Sequence, residues 1–183
     1  MANYSTHITS YSTGLRRMLL LSFLFLSIVP LKLNAQKIDA KYQSVFIFGV
    51  SRQIQWSDAD GTFDIAVIGE NKNLVKELIK LSGSKKINDK KVVIKEFTNS
   101  SSLSSNHEIV FVSSKKLLAS VLKDKGNNTL VLTAFDGAIG LGSHLNFYLD
   151  GNKVAFDLNK REITSSTNLK VNESLVKLAS KTI

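Results

Sequence analysis

Apolar residues along this chain form first an unbroken run, then a helical rhythm, then strand-length blocks, and finally strict alternation. The unbroken run covers residues 18–29, where only Ser22 and Ser27 are not strongly apolar. Over residues 38–56 the spacing turns to threes and fours. Tyr42, Val45, Phe46, Gly49 and Val50 make one series, and Ile47, Val50 and Ile54 make another. That rhythm predicts a helix whose apolar face is wide enough to be well buried. Gly49 in its interior should destabilise it by about 1 kcal/mol relative to alanine, unless close packing uses the missing side chain. Residues 57–61 read as a turn, and Phe63–Ile68 as a strand covered on both faces.

The same alternation of strand and helix repeats downstream. Asn71 or Asn73 is placed to cap a helix carrying Leu74, Val75, Leu78, Ile79 and Leu81 as one stripe. Residues 85–97 predict a strand pair or a bent strand around Asn88-Asp89. A serine-rich loop at 98–105 leads to a strand at 108–112, a helix at 115–123 and a third short strand at 129–133. Then the period becomes two. Leu145, Phe147 and Leu149 alternate with other residues, as do Val154, Phe156 and Leu158, and Asp150-Gly151-Asn152 lies between them. Asp-Gly between alternating runs is a strong hairpin signal. A last helix is expected over residues 172–180. The whole predicts a single-domain α/β fold: a mixed, largely parallel sheet flanked by helices, with a C-terminal antiparallel hairpin.

The unbroken run has the form of a secretory leader. Arg16 and Arg17 precede it, Pro30 breaks it, and Leu33-Asn34-Ala35 offers a cleavage site before Gln36. It is short of the roughly 20 apolar residues that span a bilayer, so a cleaved signal is the first reading and an uncleaved anchor the second. Met18 is an alternative start. The expected division is residues 1–35 as extension and signal peptide, and 36–183 as the exported mature domain.

Export changes the meaning of the charge. Removing Arg16, Arg17 and Lys32 with the leader lowers the net charge from +9 to +6. Only Arg52 and Arg161 remain as arginines. Paired recognition of phosphate or guanine favours the arginine fork, so the lysine excess argues against nucleic acid and for a solvated surface. The chain has no cysteine, which excludes disulfides, thiol nucleophiles and a lipid-modified N-terminal cysteine.

Little in the chain points to catalysis. HExxH, GxSxG, GxxxxGK[ST] and an EF-hand loop are all absent, and no cofactor or metal is called for. His107 sits where a loop meets a strand and reads as a surface residue. His144 opens the hairpin and has two open roles, a hydrogen bond to a neighbouring loop or the sensing of acid. Gly137, Gly140 and Gly142 precede a strand instead of opening a helix, unlike a dinucleotide fingerprint. They are expected to supply positive φ for a chain reversal, or else a loop closing over a ligand or partner. The carboxyl ends of the parallel strands, at Gly69-Glu70-Asn71, Ser113-Ser114 and residues 133–136, are where an anion could meet helix N-termini. Helix capping by Asn71, Ser113 and Ser114 explains the same residues. Trp56 reads as a core residue at a helix end, with a partner anchor as the alternative.

Four segments in order resemble one family. Residues 46–56, FIFGVSRQIQW, are similar to the first-helix signature FIYNFxKYIEWP of the YfiR-like family (YfiR/HmsC-like). Residues 142–159 are similar to its GxxINFxxExGKVRFEIN segment, residues 63–69 to its FxIxVLG strand, and residues 87–94 to its VNGKxIxV turn. Gly49, Gln53, Ser57 and Asp157 depart from the usual asparagine, aromatic, proline and glutamate.

The resemblance implies a periplasmic, non-enzymatic signalling regulator. Such a protein binds and restrains a membrane-bound sensor, in the best-known systems a diguanylate cyclase, and so affects cyclic-di-GMP and biofilm formation. It also implies a homodimer. Trp56, Gly140, Gly142, His144, Asn146 and Asp157 are the candidate binding residues, and Asn146 and Asp157 are alternatively expected to tie loops to the hairpin. Three other readings stand beside this one: a small-molecule-binding module acting with a sensor kinase or other envelope protein, a hydrolase joining His144 to a serine and a carboxylate, and a secreted adhesin.

Overall fold

A computed structural model describes residues 37–56, 61–103 and 107–183. The expected leader, residues 57–60 of the turn and residues 104–106 of the serine-rich loop lie outside the described residues. The fold belongs to the unit Gln36–Ile183.

Helix α1 runs from Ala40 to Ser51, opened by Asp39, whose carboxylate accepts the Lys41 N–H at 2.8 Å. It is shorter than expected. The chain turns at Arg52-Gln53, and β1 (Ile54–Gln55) pairs antiparallel with β8 (Lys170–Val171). Strand β2 (Phe63–Ile68) leads through α2 (Lys72–Ser82) to β3 (Val92–Phe97), and β4 (Ile109–Val112) through α3 (Lys115–Asp124) to β5 (Leu130–Thr133). Before β3 the chain reverses at Asn88 and Asp89, both at positive φ, with Ile87 bridging Lys90. The hairpin is β6 (Leu145–Asp150) and β7 (Lys153–Leu158), in the register Leu145 opposite Leu158. Helix α4 (Lys160–Ser166), helix α5 (Glu173–Leu178) and β9 (Lys181–Thr182) complete the chain.

The seven-stranded sheet has the order β3-β2-β4-β5-β6-β7-β9 and is parallel except for the β6–β7 pair. Every residue of β2, β4 and β5 is buried, because helices cover both faces and leave no polar side. The alternation of side chains across each strand divides the interior. Ile65, Val67, Ile109, Phe111, Leu130 and Leu132 join Ile47, Phe48, Leu74 and Leu78 in one core. Ala66, Ile68, Val110, Val112 and Val131 meet Leu118 and Val121 in the other. The α/β class and the hairpin are as the hydrophobic pattern predicts.

Helix α1 departs from expectation in a second way. Its inner face (Gln43, Ser44, Ile47, Phe48, Val50 and Ser51) is buried, yet Tyr42 and Val45 are 61% and 48% exposed. The sheet offers α1 a single surface to lie on. Apolar residues around most of the helix therefore leave some facing solvent.

Candidate interaction surface

Strand β5 ends at Thr133, and the chain must reverse to enter β6 beside it. Gly137 (φ +75°) and Gly142 (φ +96°) take left-handed backbone there, on either side of a short 3-10 turn at Ile139–Leu141. Gly140 does not; its backbone is ordinary and a Cβ would meet nothing within 4 Å. The buried Thr133 hydroxyl lies 2.9 Å from Ser143 Oγ and donates to Asn146 Oδ1 at 2.8 Å, and that same oxygen accepts the Phe135 N–H at 3.1 Å. Asn146 therefore ties the exit of β5 to β6. Asp157, its register partner on β7, accepts the Tyr148 hydroxyl at 3.2 Å within the hairpin. Asn146 thus joins the segment after β5 to the hairpin, while the Asp157 bond stays between the two strands of the hairpin.

His144 is fully buried. Its Nδ1 lies 3.1 Å from the Val131 N–H and its Nε2 3.2 Å from Ser166 Oγ. A backbone N–H can only donate, so Nδ1 keeps its lone pair and the ring proton sits on Nε2. Burial, and then the nearby Lys125 charge, pushes the ring pKa down to about 3. Lys125 is itself pushed down by burial, against the pull of Glu162, and its ammonium donates to the Ser166 carbonyl at 2.9 Å. Sensing of mild acid by the folded protein is thus corrected: a ring this buried stays neutral throughout the range near neutrality. The same tautomer bears on the hydrolase reading. Ser166 does face His144, but Nε2 already carries the proton and cannot accept one from the serine.

Gly140, Gly142, His144, Asn146 and Asp157 thus gather around the β5–β6–β7 junction, where Asn159 also donates to the Ile139 carbonyl at 3.4 Å. Trp56 lies elsewhere. Its indole N–H donates to the Ser51 carbonyl at 2.7 Å and its ring meets Phe63 edge-on at 5.1 Å, so it closes the end of α1 against β2. His107 is buried against Phe97 in an edge-on ring contact at 5.6 Å, which corrects its reading as a surface residue.

At the Gly69 strand end, a side chain fills the space an anion would need. β3 and β4 flank β2 on opposite sides, so the switch point of the sheet lies between the carboxyl ends of β2 and β4. There Leu117 packs over Gly69 so closely that a Cβ would approach it to 2.8 Å. Asn71 caps α2, whereas Ser114 makes no side-chain capping bond. Among the described residues no three or more of His, Asp and Glu are grouped to hold a metal ion, and no helix is long and apolar enough to cross a membrane.

The feature that periodicity missed is the outward face of α1. Tyr42, Val45 and Gly49 recur at helical spacing on it, all exposed. Beside it a groove of about 520 Å³ runs between α1 and the hairpin tip, with Tyr42, Phe46, Leu149 and Val154 as its apolar lining and Lys37 and Lys153 among its charged residues. Phe46 forms the floor, edge-on to Phe147 at 5.5 Å and to Phe156 at 6.4 Å. A concave apolar surface rimmed by charge is suited to protein recognition.

No curated protein matches the chain. A solved Bacteroides fragilis protein, described as a candidate NADP oxidoreductase, is similar at 17% identity over 58% of each chain, with a TM-score of 0.33. The chain thus spans less than two thirds of that protein's length, and a likeness this distant carries no functional argument. The family model described as YfiR/HmsC-like matches residues 40–180, from the start of α1 to the last turn before β9. The chain belongs to the YfiR/HmsC-like family of periplasmic regulatory proteins.

Proposed function

We propose that this protein, exported by its leader and working as a homodimer in the periplasm, restrains a membrane-bound sensor, foremost a diguanylate cyclase, by binding its periplasmic portion. No covalent bond is made or broken in this role. The observation that carries the binding half is the outward face of α1, where Tyr42 and Val45 remain exposed beside an apolar groove. Family membership supports the regulatory half.

Restraint of this kind is differential affinity: the regulator binds the inactive sensor more tightly than the active one. Taking a sensor from almost fully active to almost fully inactive needs a preference of roughly 10⁴-fold, about 5.5 kcal/mol. Envelope stress or a small ligand would release the sensor by eroding that preference. The test is deletion with measurement of cellular cyclic-di-GMP, together with crosslinking in cells. Deletion should raise cyclic-di-GMP and biofilm. Unchanged cyclic-di-GMP would remove the cyclase from the reading.

A further inference from the structure

We infer that the groove between α1 and the β6–β7 tip docks an acidic amphipathic segment of the partner protein, with a large apolar side chain on Phe46 and carboxylates against Lys37 and Lys153. This rests on the proposed function being regulation by binding, and it names the surface and the chemistry of what binds there.

The lining sets the apolar part. Tyr42, Phe46, Leu149 and Val154 bound the groove, and its volume of about 520 Å³ admits a bulky side chain. The charges set the rest. Helix α1 contains no acidic residue, and Lys41 and Arg52 fall at its two ends on the same outward face as Val45. Lys37 and Lys153 line the groove itself. The neighbouring acids do not balance them. Asp39 also lines the groove and keeps its charge while capping α1, so the lining carries two lysines against one carboxylate, and Asp150 lies outside it, opposite Lys153 in the hairpin register.

A second copy of this chain is therefore a poor occupant. Two α1 faces laid together bring Lys41 against Arg52 or against itself, and like charges facing each other across an interface oppose association. An anionic lipid surface meets the charge requirement but not the shape, because the groove is a recess and a bilayer is broad. Gly49 supplies an independent pointer. Its backbone is helical, so no positive φ requires a glycine, and a Cβ there would meet nothing within 4 Å. Nothing inside the fold explains the missing side chain, whereas a partner backbone lying across α1 does.

The experiment is photocrosslinking in cells from position 45 of the full chain, with position 116 on α3 as a comparison, and sequencing of the captured segment. Capture from position 45 of a segment with apolar residues flanked by Asp or Glu is the expected result. Its yield should fall at least tenfold in K37E/K153E and in G49W, and the charge-reversed pair should recover when the captured acids are changed to lysine. G49W should melt no lower than the natural protein, because its added side chain points into open space. Capture of a second copy, of lipid or of a basic segment, or capture only from position 116, overturns the inference. If cyclic-di-GMP ignores deletion while an acidic segment is captured, the cyclase reading fails and the docking surface stands. If deletion changes cyclic-di-GMP while capture comes from another face, the reverse holds. No capture from either position overturns the docking surface as well.

Discussion

His144 Nδ1 accepts the Val131 N–H at 3.1 Å, and this bond ties the stability of the domain to pH. The ring is neutral in the fold, with its pKa pushed down to about 3 by burial and by Lys125. In the unfolded chain it titrates near its ordinary value of about 6.5. Between these two values the unfolded state binds the extra proton, so stability falls as pH falls from about 6.5 toward about 3. From pH 7 to pH 5 this one group should remove about 2 kcal/mol. Urea titrations of the natural protein and of His144→Asn at several pH values would show it. Asparagine keeps an acceptor for the Val131 amide but does not titrate. The variant should be less stable at pH 7 and lose less on acidification; equal losses in both proteins would refute the assignment.

Asn146 Oδ1 serves two donors, the Thr133 hydroxyl and the Phe135 N–H. Asn146→Ala leaves both without that acceptor at a buried site, which should destabilise by about 1–3 kcal/mol. Removal of the Thr133 hydroxyl as well should recover part of the loss. Asn146→Ala with Thr133→Val is thus expected to be more stable than the sum of the single changes implies. Denaturant unfolding of the four proteins measures the coupling. Hydrogen exchange at the Phe135 amide should also quicken in Asn146→Ala.

How much of this was legible in the sequence depends on how local each cause is. The blocks of β2, β4 and β5 are apolar throughout because both their faces are covered, and the Asp150-Gly151 turn carries its own chemistry, so these elements can be read directly. Helix α4, β8 and β9 are short and are held by contacts with distant segments, such as the pairing of Val171 with Ile54. No period marks them. Helix α1 misleads because apolar residues surround it, and periodicity cannot say which of them the sheet will cover. His107 misleads for the same reason, since the ring that buries it, Phe97, comes from another strand. The candidate residues around the hairpin were found through their motif, but their bonds to Thr133 and Tyr148 are visible only in three dimensions.

Gly140 and Gly142 look alike in the sequence and should respond differently to alanine. Gly142 sits at φ +96°, and a Cβ would come within 3.0 Å of Leu122 Cδ1. Backbone strain and the tight contact together should make Gly142→Ala destabilising by about 1–3 kcal/mol. Gly140 has neither constraint, so Gly140→Ala should change stability by less than about 0.5 kcal/mol. Thermal unfolding of the two variants side by side would settle it, and equal losses would mean that the loop backbone differs from that described.

Gly49 is a residue whose replacement should make the isolated protein more stable. It lies in the interior of α1 with open space where its side chain would be, and alanine is favoured over glycine in a helix by about 0.5–1 kcal/mol. Gly49→Ala should therefore stabilise the isolated protein by about that amount and raise its melting temperature by a few degrees. A larger residue at the same position, as in Gly49→Trp, should leave folding intact while blocking close approach to α1. The two variants separate stability from docking. If Gly49→Ala were destabilising, α1 would be packed more tightly on its outward side than the exposure of Tyr42 and Val45 implies, and the docking surface would lose its basis.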